Sequence, residues 1–163
     1  MTQTPTQIQV SKPKIFTPHY QFRQNEKELA VLDYEKRWGK NAVLHVNDKQ
    51  FKLKTTGFWK QFIHITAEQS PYLKLSIPFK WTYKMAVSLN NRQTYHFKSV
   101  DFWNRVWAWY DEKDNMVVEL RSNQFSKQNR GQLTIHQPAT DDLLLLAALG
   151  WYTVMAYEEQ SAG

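Results

Sequence analysis

From Tyr20 to Ile135 apolar and polar residues alternate with a period of two, and after Thr140 the alternation gives way to an unbroken apolar run. Phe51-Lys52-Leu53-Lys54 and Tyr95-His96-Phe97-Lys98 are the clearest cases. In an extended chain this order puts apolar side chains on one face and cations on the other. Turn chemistry separates the runs: Asn47-Asp48-Lys49 and Asn90-Asn91-Arg92 are hairpin-like, while Gln69-Ser70-Pro71 and Asp114-Asn115 break the strands that follow. The late run, DDLLLLAALGWYTVMAY from Asp141 to Tyr157, carries no charge over the fifteen residues after Asp142. It predicts a helix over about 141–158, with Pro138 stopping the last strand, Thr140 as N-cap, and Asp141 and Asp142 in the first turn, where negative charge suits the dipole. At 100° per residue its apolar groups point in every direction, so the helix has to be enclosed. At 1.5 Å per residue the run is roughly 22 Å long, short of a hydrocarbon core of about 30 Å. Acids flank it at both ends, and no cation is present to anchor it among headgroups. The predicted enclosure is therefore protein, and Gly150, costing about 1 kcal/mol in a helix relative to alanine, predicts close approach of a backbone or a large ring.

The strands repeat every 44 residues. Ala42-Val43-Leu44-His45-Val46-Asn47 aligns with Ala86-Val87-Ser88-Leu89-Asn90-Asn91, and without a gap Phe51 falls on Tyr95, Leu53 on Phe97, Lys54 on Lys98, Phe58-Trp59 on Phe102-Trp103 and Ile65 on Trp109. One unit contains about four strands. Residues from about Tyr20 to Trp38 resemble the second half of a unit whose first half is missing, and Gly131-Gln132-Leu133-Thr134-Ile135 opens a third copy that stops after one strand. The expected total is eleven to twelve antiparallel strands joined by hairpins. Four-stranded units also describe propeller blades, but two and a half blades cannot close a ring, and a propeller has no place for an all-apolar helix. A closed antiparallel barrel of about twelve strands does, because its interior is wider than side chains alone can fill. The fold class predicted is mainly β, with the hydrophobic C-terminal helix at the centre of such a barrel. Residues 1–14 are expected to be a polar, disordered lead-in, and residues 15–159 a single domain.

The duplicated Phe-Trp strand, the W-x-W strand followed by Tyr-Asp, and the ending GQLTIHQ…DDLLLLAALGWYTVMAYEE resemble the tubby C-terminal-like superfamily, which includes tubby, LURP-one-related and phospholipid scramblase proteins. The likeness extends over nearly all of residues 15–159 and is nearest to small bacterial members. It implies a twelve-stranded barrel around a central hydrophobic helix. Tubby domains bind phosphoinositides through basic residues that have no position-by-position match here, and the calcium-site and lipidation features of scramblases are absent from this sequence.

Composition adds charge and removes chemistry. The formal charge is +6 and there is no cysteine, which excludes a disulfide framework and favours a reducing, cytoplasmic setting. Residues 36–100 carry twelve Lys and Arg against two acids, whereas residues 101–163 carry five against nine. No Walker or dinucleotide glycine pattern and no Gly-x-Ser-x-Gly elbow occurs, and His19, His45, His64, His96 and His136 lack metal-ligand spacing, so no catalytic residue, metal or cofactor is predicted. Asp111, Glu112 and Asp114 form a cluster read as solvated turn carboxylates rather than a glycosidase-like pair. Trp103, Trp107 and Trp109 share one strand face and are read as core facing the helix, while Phe58, Phe62, Phe102 and Tyr110 are candidates for a partner surface.

The expected function is a non-catalytic binding module for an anionic membrane surface or lipid headgroup, using Lys52, Lys54, Lys60, His96, Lys98 and Arg105, with no transmembrane segment. The alternatives are a protein-interaction or scaffold domain, homo-oligomeric through exposed aromatic faces, and third a module for single-stranded nucleic acid, since cations interleaved with aromatics on strands can hold one.

Overall fold

The computed structural model describes residues 4–13, 19–35, 41–56, 61–67, 70–79, 85–89, 93–101, 105–123, 126 and 129–162; of these, the side chains of residues 56, 61–62, 70–79 and 159–162 are not described. The strands are β1 (Thr6–Ser11), β2 (His19–Gln24), β3 (Lys27–Tyr34), β4 (Ala42–Val46), β5 (Lys49–Thr56), β6 (Gln61–Ala67), β7 (Ser70–Phe79), β8 (Met85–Ser88), β9 (Thr94–Ser99), β10 (Val106–Tyr110), β11 (Met116–Ser122) and β12 (Asn129–Ile135), followed by the helix α1 (Asp141–Ala162). All twelve strands belong to one antiparallel sheet in the order β7-β6-β5-β4-β3-β2-β1-β12-β11-β10-β9-β8.

The 44-residue period is present in the elements themselves. β4 to β7 and β8 to β11 occupy corresponding positions one period apart, and each set is a run of four neighbours in the sheet. The four strands left over are also neighbours, in the order β3-β2-β1-β12. A third unit thus exists, with its first strand, β12, at the C-terminal end of the β region and its other three at the start of the chain.

β1 corrects the expectation of a disordered lead-in over residues 1–14. Thr6 to Val10 pair with Ile135 to Gly131 of β12, and Gln9, Val10 and Ser11 pair with Arg23, Phe22 and Gln21 of β2. Ile8 and Val10 are fully buried while Gln7 and Gln9 face solvent. The segment looks polar because its two core residues are separated and flanked by glutamines and threonines. An alternation with only two apolar members still suffices for a strand that has a neighbour on either side to supply the backbone hydrogen bonds.

Every residue of α1 from Leu143 to Val154 is buried. Its contacts come from across the sheet: Trp151 meets Tyr20 of β2 with ring centroids 5.9 Å apart, Tyr152 stacks on Tyr34 of β3 at 5.8 Å, and the Tyr152 hydroxyl lies 2.6 Å from Thr55 Oγ1 of β5. On other sides Thr153 Oγ1, which donates to the Leu149 carbonyl at 2.9 Å, lies 3.7 Å from Met85 Sδ of β8, and Tyr157 packs edge-on against Trp107 of β10 at 5.2 Å. The helix begins as expected, Leu143 N–H donating to Thr140 Oγ1 at 3.2 Å, but runs past residue 158 to Ala162. Asp141 accepts from Lys49 Nζ at 3.1 Å and from Asn47 Nδ2 at 2.6 Å, which fastens the first turn of the helix to the β4–β5 hairpin. At the other end, where a carboxylate opposes the dipole, Glu158 is held by Ser122 Oγ and by Arg130 Nη2 at 3.2 Å, both partners of this ion pair being mostly buried. No helix among the described residues is long and apolar enough to cross a membrane.

The enclosing residues are the inward members of the alternation. Trp107 and Trp109 are buried, in accord with their reading as core, and Phe97 lies against both, with centroids 5.4 and 4.9 Å away. A bulge at Trp109/Tyr110 leaves Val117 without a partner across the ladder and buried beside Val118. Trp103 lies outside the described residues.

Candidate functional site: the basic strand face

β5 presents cations by strict alternation. Phe51 and Leu53 are buried and Lys52 and Lys54 exposed, so both ammonium groups stand on the outer surface two residues apart along one strand. The hairpin at Asn47, whose φ of 54° suits an asparagine, fixes the register in which Lys52 faces Val43 of β4 and Thr66 of β6, and Lys54 faces His64 of β6. Continuing along the row of Lys52 and Val43, the next residue is Asp33 of β3, which is tied to His19 Nδ1 at 3.4 Å. The described outward positions of β4, β5 and β6 are Val43, His45, Gln50, Lys52, Lys54, His64 and Thr66, a set without a carboxylate.

The second group lies on β9 and beside β10. His96 and Lys98 are exposed, alternating with the buried rings of Tyr95 and Phe97. Lys98 Nζ stands 4.5 Å from the centroid of the Tyr110 ring on the neighbouring strand, a cation–π contact that holds the charge near the sheet. The row through Lys98 continues to Ala108, fully buried though it points outward, and then to Glu119, which accepts from Arg121 Nε at 2.7 Å. Arg105 is exposed in the approach to β10, where Asp101 Oδ1 accepts the N–H groups of Arg105 and Val106 at 3.0 and 3.1 Å and sets the direction of the strand.

The six residues singled out from the sequence therefore fall into two sets. Lys52 and Lys54 share β5, His96 and Lys98 share β9 with Arg105 near by, and Lys60 lies outside the described residues. β5 is third from one end of the sheet order and β9 second from the other, so the ladder of paired strands does not bring the sets side by side. Sequence reasoning passed over His64. The signal was available, because the β5–β6 hairpin that makes Ile63 and Ile65 core also places His64 opposite Lys54. Among the candidate partner-surface aromatics, Tyr110 is half-buried under Lys98; Phe58 and Phe102 lie outside the described residues, as does the Phe62 side chain.

The acidic turn is internally engaged. Asp111 Oδ1 accepts the N–H groups of Lys113 and Asn115 at 2.9 Å each, and Glu112 Oε1 accepts from Thr94 N–H at 3.0 Å. The Asn115 amide, followed by that of Lys113, holds the Asp111 carboxyl below its ordinary value. Among the described residues no group of three His, Cys, Asp or Glu side chains is placed to hold a metal ion. Comparison of the chain with family models, with curated proteins and with solved structures found no match to any of the three.

Proposed function

We propose that this protein is a non-catalytic binding module whose partner is an anionic membrane surface or lipid headgroup, built as a closed twelve-stranded barrel of the tubby C-terminal-like superfamily. The observation that carries the functional reading is the pair Lys52 and Lys54, exposed side by side on β5 with His64 across from Lys54 and no carboxylate on the described outer positions of β4 to β6. Such a surface attracts an anionic lipid face without needing a shaped pocket, at about 1 kcal/mol per cation near the surface. The family reading is supported by the three four-stranded units and by a helix buried from Leu143 to Val154. Closure between β7 and β8 follows from economy: the two are consecutive in the chain, and joining them removes the last unpaired edges of the sheet.

The test is flotation of the full-length protein with vesicles of phosphatidylcholine alone or with phosphatidylserine added, at low and at high salt. Binding is expected only to the anionic vesicles, weakening as salt rises, and the Lys52→Glu/Lys54→Glu variant is expected to need at least about tenfold more anionic lipid. Equal flotation with both compositions at low salt would refute the reading.

A further inference from the structure

The outer positions of β4 to β6 hold two histidines besides their two lysines. His45 on β4 is exposed and faces Gln50 of β5 and Val31 of β3. Lys52 and Asp33 are the next outward residues of those strands in one direction, and the turn residue Asp48 lies in the other. His64 on β6 is half-buried and faces Lys54 of β5 and Ser76 of β7. The β5 and β7 positions across from and next to His64 are Lys52, Lys54, Thr56, Lys74, Ser76 and Pro78, without a carboxylate. Two carboxylates bear on His45. One is Asp48; the other, Asp33, is tied to His19 Nδ1 at 3.4 Å.

Imidazole is the side chain that ordinarily exchanges its proton between about pH 5 and 8. With the histidines neutral, the outer face of β4 to β6 carries the two charges of Lys52 and Lys54; with His45 and His64 protonated it carries four. A protonated His19 also cancels Asp33 at the border of this face. Protonated His64 and Lys54 are like charges directly opposite one another, an unfavourable pairing until an anion lies over both. Protons and an anionic lipid surface thus favour each other on this face, and by linkage each raises the affinity for the other by the same factor.

From this geometry we infer that the basic face is proton-gated: its hold on an anionic lipid surface tightens as the medium turns from neutral to mildly acidic, with His45 and His64 taking up the protons. The inference rests on the lipid reading above and adds its regulation. Lysines keep their charge through this interval, and so do phosphodiester headgroups, so the change in affinity belongs to the imidazoles. Each cation added near the surface raises the affinity about fivefold, and the two together raise it on the order of tenfold to thirtyfold.

Flotation of the full-length protein tests this, with vesicles of phosphatidylcholine containing phosphatidylglycerol at constant ionic strength, at about pH 7.5 and about pH 5.5. The wild type is expected to need at least about tenfold less anionic lipid at the lower pH. His136→Gln should respond in the same way, because His136 follows β12, which stands four strands from β4 in the sheet order. In His45→Gln/His64→Gln the ratio between the two conditions should fall below about threefold. His45→Lys/His64→Lys, which fixes both charges, should bind at the higher pH as the wild type does at the lower, with little change between them. A tenfold ratio that survives in either double variant overturns the gating and leaves the lipid reading standing, as does a wild type whose anion-dependent binding is equal at both pH values. Absence of anion-dependent flotation at both overturns the two readings together.

Discussion

A methyl group at Gly150 tests the enclosure of the helix most directly. In Gly150→Ala the new carbon would lie 2.7 Å from Trp109 Nε1, 3.0 Å from Leu120 Cδ2 and 3.2 Å from Phe97 Cε2, atoms on β10, β11 and β9. None of the three side chains is free to withdraw. Each is at most 1% exposed, and Phe97 is itself held between Trp107 and Trp109. The Trp109 indole N–H has no hydrogen-bond partner among the described residues, so what resists a shift of this fully buried ring is its packing against Phe97 rather than a bond. Intrinsic helix propensity favours alanine by about 1 kcal/mol. Overpacking a well-filled core costs about 1–3 kcal/mol, and contact with three rigid neighbours belongs in the upper part of that range. The difference is a net loss of about 1–2 kcal/mol, a fall in Tm of roughly 2–8 °C for a domain of this size. Urea unfolding followed by near-ultraviolet circular dichroism measures it, with the m-value unchanged. A gain of about 1 kcal/mol, which is what an uncovered helical glycine would give, would refute the claim that three strands close on this side of α1.

Deleting residues 1–11 removes two fully buried side chains, Ile8 and Val10, and leaves the facing edges of β2 and β12 unpaired. A loss of roughly 3–6 kcal/mol is expected, a large part of the total stability, so the truncated chain should aggregate or unfold without cooperativity; an unchanged Tm would return the segment to the role of lead-in. Asp141 is held below its ordinary value of 3.8 by Lys49 first and Asn47 second. Because the folded value is the lower one, the stability it contributes is present above the unfolded value and disappears as pH falls through the folded one. Asp141→Asn should therefore lower Tm at neutral pH by the equivalent of no more than about 1 kcal/mol, the carboxylate being partly exposed, with the difference from wild type closing below the ordinary carboxylate range. A difference that stays constant down to acid pH would count against the Lys49 contact.

The parts of the fold legible in the sequence are those in which a local rule and the tertiary environment agree. The alternation in Phe51-Lys52-Leu53-Lys54 states both the element and its buried face, Thr140 states the start of the helix, and Gly150 announces a ring that proves to be Trp109. β1 was hidden because its pattern is weak on its own and becomes decisive only with β2 and β12 beside it. The same limit applies to the site. Alternation says that Lys52 and Lys98 both face outward, but which strands adjoin is a property of the whole order. β5 and β9 hold equivalent places in successive units, so the repeat that makes them alike is also what keeps them apart.

A duplicated unit places its strand cations at regular intervals along the sheet, on separate strands, whereas it sends corresponding connections of every unit to a single end. Phe58-Trp59 and Phe102-Trp103 are one period apart in the sequence, and so are Trp81 and Phe125, all of them outside the described residues. Repetition of apolar residues within strands is accounted for by packing against the helix.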